Sequence, residues 1–334
     1  MTRVAGAALR RPAAAFRRAG GRFGSFGALG IGLVVGFAVE VLFFSIKSPY
    51  FFDGANFANV GRAIAIIGVA AVGETIVIIS GGFDLSIGST MAAAGMISGY
   101  LVNHGTAIPA AFAVALAAGL AIGIANGAIV SYGRINPLIA TLATLSIVRG
   151  LGFVITGGQD LVISNGTFLG FGTNAVLGVP ITVIVLLAVF AVFGAALPRT
   201  SFGRYAYAIG SSVRASRLAG VPVSRWRLAF YATSGLLAAL AGIITVARTG
   251  TAQPSQNLGI ELDVITAVIL GGTSLNGGRG RLAGTLLGLL LIGTLNNGLI
   301  LINVQAYWQQ VVKGAILLAA VFWDEIRRTR RAET

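Results

Sequence analysis

The sequence predicts an all-α polytopic membrane protein of about ten transmembrane helices, and three observations carry that prediction. Of 334 residues, 56% are hydrophobic and 10% are charged, where a soluble domain carries about 25% charged residues. The apolar residues come in runs that reach the roughly 20 residues a helix needs to cross the hydrocarbon core. Glycine is abundant, at 48 residues, as in membrane helices whose backbones approach closely. The absence of cysteine excludes disulfides, thiolate nucleophiles and Cys-based metal sites.

In chain order the spans fall near 27–46, 61–80, 86–102, 107–130, 137–156, 175–197, 228–247, 260–271, 282–302 and 306–323. The run at 260–271 is short and reads either as a re-entrant segment or as a span that begins earlier. A basic arm, 1–26, precedes this membrane region of 27–323, and a tail, 324–334, follows it. The arm resembles the start of a signal peptide. The apolar run after it has no small-residue cleavage site and nine more spans follow, so it reads as a retained first span. With the N-terminus placed inside, arginines collect in the arm, at Arg134, in 198–227, at Arg279 and Arg281, and in the tail. The proposed outer loops hold only Lys47 and Arg248. Such a bias orients membrane proteins with their positive loops inside, so both termini read as cytoplasmic. The net charge of +14 is then a topology signal facing membrane lipid, and no nucleic-acid partner is expected.

The longest connection, "PRTSFGRYAYAIGSSVRASRLAGVPVSRWR" at 198–227, holds six arginines and no acid. Ser212–Ala219 reads as a short helix, with Ser211 or Ser212 to cap its start and Gly220 with Pro222 to end it. Two readings stand. The helix either lies on anionic headgroups and fixes topology, or it presents a rigid element to a soluble partner.

At this loop the sequence resembles a known family. "AIGSSVRASRLAGVPVSRWRLAFYATSGLLAALAGII" resembles the coupling-helix segment of ABC importer permeases, in the branch that takes up ribose and other simple sugars. "GETIVIISGGFDLSIGS", "INPLIATLATLSIVRGL" and "VILGGTSLNGGRGRLAGTLLG" are similar to further segments in the same order, so the resemblance covers about residues 45–325. The chain departs from the family where Ser212 replaces the usual Asn and Ser216 the usual Ala.

The resemblance implies a cytoplasmic coupling helix on which an ABC ATPase docks, through Ser212, Arg214, Ala215, Ser216, Arg217, Leu218, Ala219, Gly220 and Val221. It further implies a pair of permeases, two copies or a copy with a paralogue, in the bacterial plasma (inner) membrane. An extracytoplasmic sugar-binding protein would supply the substrate, and ATP and Mg would sit on the ATPase. The sequence agrees by omission. A phosphate-cradling G-x-x-x-x-G-K-[ST] loop needs a lysine after glycine, and neither Lys47 nor Lys313 fits. No enzyme activity, cofactor or metal site is expected in this chain.

The stretch "VIISGGFDLSIGSTM", Val77 to Met91, sets an aspartate among apolar residues, where a lone carboxylate costs several kcal/mol. Gly81 and Gly82 can end one helix by taking positive φ, and Asp84 or Ser86 can cap the next. Asp84 is therefore either a cap at a turn or, with Gly81, Gly82, Leu85 and Ser86, part of an inner gate or docking surface. "AVILGGTSLNGG" in the second half repeats the theme of an apolar run followed by Gly-Gly.

Polar residues inside spans are functional candidates because lipid makes them expensive. Glu74 lies deep in the second span; Asn136, Thr141 and Thr144 lie on or near one face of the fifth; Asn296 lies in the ninth. They either line a pathway, where a polyhydroxylated sugar needs neutral donors and acceptors, or join helices by hydrogen bonds. Arg149, further along the fifth span, is expected to snorkel or pair with Asp160. The rival to an ATP-driven importer is an ion-coupled secondary transporter. That class needs a mid-membrane carboxylate relay, for which only Glu74 is well placed.

Overall fold

The computed structural model describes residues 24–332. The arm arginines, Arg3 to Arg22, lie outside the described residues. Thirteen helices account for most of that stretch. They are α1 (Gly24–Lys47), α2 (Gly54–Ile79), α3 (Ile87–Asn103), α4 (Ile108–Ser131), α5 (Pro137–Thr156), α6 (Gly166–Thr173) and α7 (Ile181–Arg199). Then come α8 (Ser201–Ser211), α9 (Val213–Leu218), α10 (Val223–Thr249), α11 (Ile260–Leu270), α12 (Leu282–Leu301) and α13 (Ala306–Ala332). Nine of the ten apolar runs read from the sequence fall on one helix each; the run read at 175–197 opens instead with a short hairpin, where Leu177 and Gly178 turn the chain at positive φ, and is helical only from Ile181. Among the described residues, six helices (α2, α4, α5, α7, α10 and α12) are long and apolar enough to cross a membrane. α13 runs on through the segment read as a tail.

Two helices are longer than hydropathy alone suggests. α2 starts at Gly54, where the Asp53 carboxylate accepts from the Ala55 N–H at 3.0 Å and satisfies one orphan donor of the first turn. α10 starts at Val223 and carries Arg225 and Arg227 in its first turns. Every residue of α2 from Ile64 to Ile79 is buried, as is most of α10 from Phe230 to Ala247. A helix that is apolar all round belongs in the middle of a bundle. α3 and α4 pack on α10, α7 and α12 pack on α2, and α11 lies between α2, α12 and α13. The outward faces of α5 and α7 expose Ile139, Ile155 and Val192, as lipid-facing helices do.

α4 and α10 approach closely along a small-residue stripe. A Cβ on Gly119, Gly123 or Gly127, spaced four apart on one face, would overlap atoms of Gly235, Tyr231 and Leu228 on α10. In lipid, where apolar surface gains little from helix contact, such backbone proximity is what holds helices together. The described strands are minor: Leu161–Val162 pairs antiparallel with Thr251–Ala252, and Ala175–Val176 with Val179–Pro180. The first pair ties the loop after α5 to the loop after α10.

Candidate functional site

The helix expected in the basic loop is present, and its ends are built from local chemistry. The Ser212 hydroxyl accepts from the Ala215 N–H at 3.2 Å and caps α9. At the other end the Gly220 N–H reaches the Arg217 carbonyl and the Val221 N–H reaches the Ser216 carbonyl. With Gly220 at φ +77, this pairing is a Schellman stop. Ser216 is buried and Val213 and Val221 are half-buried, while Arg214, Ala215, Arg217, Leu218 and Ala219 are exposed. Leu218 is 83% exposed, so the outward face of α9 presents a bare leucine beside Arg214 and Arg217.

α8, which hydropathy leaves unassigned, holds this segment to the bundle. Phe202 lies 5.0 Å from Phe230 edge-to-face, and Tyr205 lies 4.9 Å from Trp226, so an aromatic cluster seats α8 on the start of α10. The Tyr207 hydroxyl donates to the Gly280 carbonyl at 2.9 Å. Burial raises its pKa, with Arg281 partly offsetting the effect, so the donor keeps its proton at neutral pH.

The C-terminal end of α8 meets two glycine turns. α2 ends in a Schellman pair, Gly81 N–H to the Ile78 carbonyl and Gly82 N–H to the Val77 carbonyl, both at 2.9 Å. α11 ends the same way, with Gly272 N–H to Ile269 and Thr273 N–H to Val268. The Gly278 N–H then donates to the Ile79 carbonyl at 2.8 Å. A Cβ on Gly210 would overlap both Ile79 O and Gly278 N, and one on Gly277 would come within 2.9 Å of Gly81 Cα. Three backbones thus touch at the end of α8, which leads into α9.

Beyond Gly82 the chain folds back into the bundle, which accounts for the shortness of α3. The Tyr231 hydroxyl donates to the Phe83 carbonyl (3.0 Å) and accepts from its N–H (3.2 Å). Asp84 is 2% exposed, and its N–H donates to Glu74 Oε1 at 3.3 Å. Its carboxylate accepts from the Ser86 N–H (3.1 Å), the Ser86 hydroxyl (2.6 Å), the Ser234 hydroxyl (3.0 Å) and the Asn126 amide (3.5 Å). These donors compensate a carboxylate that would otherwise be prohibitive in apolar surroundings. Asp84 does not cap α3: Ser86 occupies the N-cap position without a side-chain cap bond, because both groups turn toward each other and toward α4 and α10.

The other expected site residues divide. Thr144 joins this network, donating to Asn126 Oδ1 at 2.6 Å, and Glu74 borders it, with Oε2 lacking a partner. Thr141 is buried but bonds back to the Pro137 carbonyl, and Asn136 caps α5 by accepting from the Leu138 N–H at 2.9 Å. Asn296 lies apart, its Oδ1 buried and unpartnered, next to an Asn297–Asn56 amide pair. Arg149 does not pair with Asp160, which accepts from Gln253 instead; its Nη1 donates to the Pro254 and Gln256 carbonyls. Sequence reasoning missed Asn126 and Ser234. Asn126 carried a signal, an amide inside an apolar run; a serine on α10 carried none.

The family described as "Branched-chain amino acid transport system / permease component" matches residues 56–321. The ribose import permease of Bacillus subtilis (strain 168) is 41% identical over 88% of this chain and 92% of its own length. That of Escherichia coli (strain K12) is 42% identical over 87% and 92%, and the L-arabinose transport system permease of the same strain is 39% identical over 89% and 90%. No solved structure matches the chain. The match spans both glycine turns, the Asp84 network and α9, and the chain belongs to the family of import-system permease components that includes the ribose and L-arabinose permeases.

Proposed function

We propose that this chain is the transmembrane permease subunit of an ATP-driven importer that moves a monosaccharide or related polyol into the cytoplasm. The observation that carries the reading is α9: capped at both ends, exposed on an apolar and basic face, and continuous with α8, whose last residues touch the backbones of the turns after α2 and α11. A surface helix that only fixed topology would not need those backbone ties. The similarity to ribose and L-arabinose permeases supports a pentose as cargo; ion-coupled transport has no comparable support.

In this account all ten apolar helices cross or enter the membrane and both termini are cytoplasmic. α9 and its neighbours, Ser212 to Val221, receive a separate ABC ATPase that binds ATP and Mg. Two permeases, copies or paralogues, form the pathway, and an extracytoplasmic binding protein delivers sugar to it. Closure of the ATPase pair draws the two α9 helices together and switches the permease pair between outward-facing and inward-facing states. Gly81 to Ser86 then form the moving inner junction, and Glu74, Asn136, Thr141, Thr144 and Asn296 supply polar lining.

The test is purification from native membranes in mild detergent, followed by identification of co-purifying chains. An ATPase recovered with the wild-type protein, and lost with Ala215→Pro while membrane insertion is retained, is the expected result. Recovery of no ATPase, with pentose uptake that follows an ion gradient, overturns the reading.

A further inference from the structure

The Asp84 network lies toward the α9 end of the bundle, and a second polar group lies toward the opposite end. Arg149, 9% exposed, is fixed by its two bonds from Nη1 to the Pro254 and Gln256 carbonyls, at 3.1 and 3.3 Å. Its Nε and Nη2, together with Gln256 Oε1, Asn257 Nδ2 and Glu261 Oε2, are shielded from solvent and unpartnered. The group thus offers donors from two residues and acceptors from two others, contributed by α5, the segment after α10 and the first turn of α11.

Arg149 and Glu261 feel each other's charge, and Glu261 and Asn257 both pack against the start of α3. A Cβ on Gly88, at the start of α3, would lie 2.6 Å from Glu261 Oε2 and 2.8 Å from the Asn257 carbonyl. Asn257 itself takes φ +61, and Gly259 takes φ +80. Despite their proximity, Arg149 and Glu261 form no ion pair. Each unpaired buried polar group costs about 1–3 kcal/mol, so a cluster of complementary orphans calls for a ligand that both donates and accepts.

A hydroxyl does both, and adjacent hydroxyls can serve a guanidinium, a carboxylate and an amide together. We infer that Arg149, Gln256, Asn257 and Glu261 form a recess that binds the hydroxyl groups of a polyhydroxylated solute at the end of the bundle away from α9. The sugar as natural occupant rests on the importer reading; the hydroxyl chemistry of the recess does not.

The absence of cysteine supplies a direct test. Leu258, 64% exposed, borders the recess, and Leu258→Cys places a single thiol there. The full-length variant, purified without any ATPase, is labelled with a neutral maleimide in the presence of D-ribose, L-arabinose or glycerol. At twice its half-protecting concentration D-ribose leaves about one third of sites free and slows labelling about threefold. Adding Glu261→Gln or Arg149→Lys removes that protection. Labelling unchanged by all three compounds means that the recess holds water only and overturns the proposal, as does protection that survives both second substitutions. Protection without pentose uptake by the complete transporter leaves the recess standing and removes the importer reading; uptake without protection does the reverse.

Discussion

The two glycine turns, after α2 and after α11, begin alike and end differently. Both close with the same Schellman bonds, with Gly81 at φ +78 and Gly272 at φ +85, and both follow an apolar helix of Val and Ile. After the first turn the chain runs inward to Asp84, whose carboxylate collects donors from α4, α10 and its own loop. After the second it bends across the helix ends, where the Ser274 N–H bonds to the Arg279 carbonyl and Gly278 reaches Ile79. The cap geometry is set by local backbone chemistry; the direction taken afterwards is set by whether the next residues can be satisfied inside the bundle. Both turns therefore touch the end of α8, only the first leads into the interior, and the Gly278–Ile79 hydrogen bond connects them.

The largest effect in this comparison is expected at Asp84. Asp84→Asn keeps the shape but turns an N–H group toward hydroxyl and amide donors, which costs about 2–3 kcal/mol for a charged acceptor so replaced. Thermal denaturation in detergent should register that loss, with Ser234→Ala giving a smaller part of it. If Asp84→Asn leaves the melting temperature unchanged, the carboxylate is not the inward anchor of this turn.

Gly81→Ala and Gly272→Ala come next. Each forces an L-residue into the left-handed region at about 1–2 kcal/mol, and their stability losses should be nearly equal because the two caps share one geometry. Their effects on transport should diverge, since only Gly81 leads into the buried network. Equal transport defects would erase the distinction drawn between the turns.

The smallest effect is expected at the cap of α9. Ser212→Ala removes an acceptor worth about 1 kcal/mol from a six-residue helix that has little else to nucleate it. ATPase stimulation should fall while overall stability barely moves, and Ser212→Asp should restore it.

What the sequence disclosed follows the same division between local and long-range chemistry. The apolar runs, the cap at Ser212 and the stop at Gly220 were legible because each is decided within a few residues. α8 escaped hydropathy because its 11 residues, which include Ser201, Arg204 and Ser211, make no apolar run of spanning length. The partners of Asp84, at Asn126 and Ser234, are 42 and 150 residues away, and only helix packing brings them together. Asn136 drew attention as a polar residue in a membrane segment, yet the Asn-Pro pair at the start of α5 is a helix-start signature. Arg149 was legible as a charge inside a span but not as a contact of loop carbonyls, which depend on how α10 turns into α11.

The central claim is that α9 acts on the bundle through the backbone junction at Gly210, Gly278 and Ile79. Its most direct test is the ratio of sugar imported to ATP hydrolysed by the reconstituted transporter carrying Gly210→Ala, whose Cβ enters that junction. The ATPase should remain bound and active while import falls, lowering the ratio about tenfold, equivalent to about 1.4 kcal/mol of lost coupling. An unchanged ratio in a variant that folds and binds its ATPase would contradict the claim.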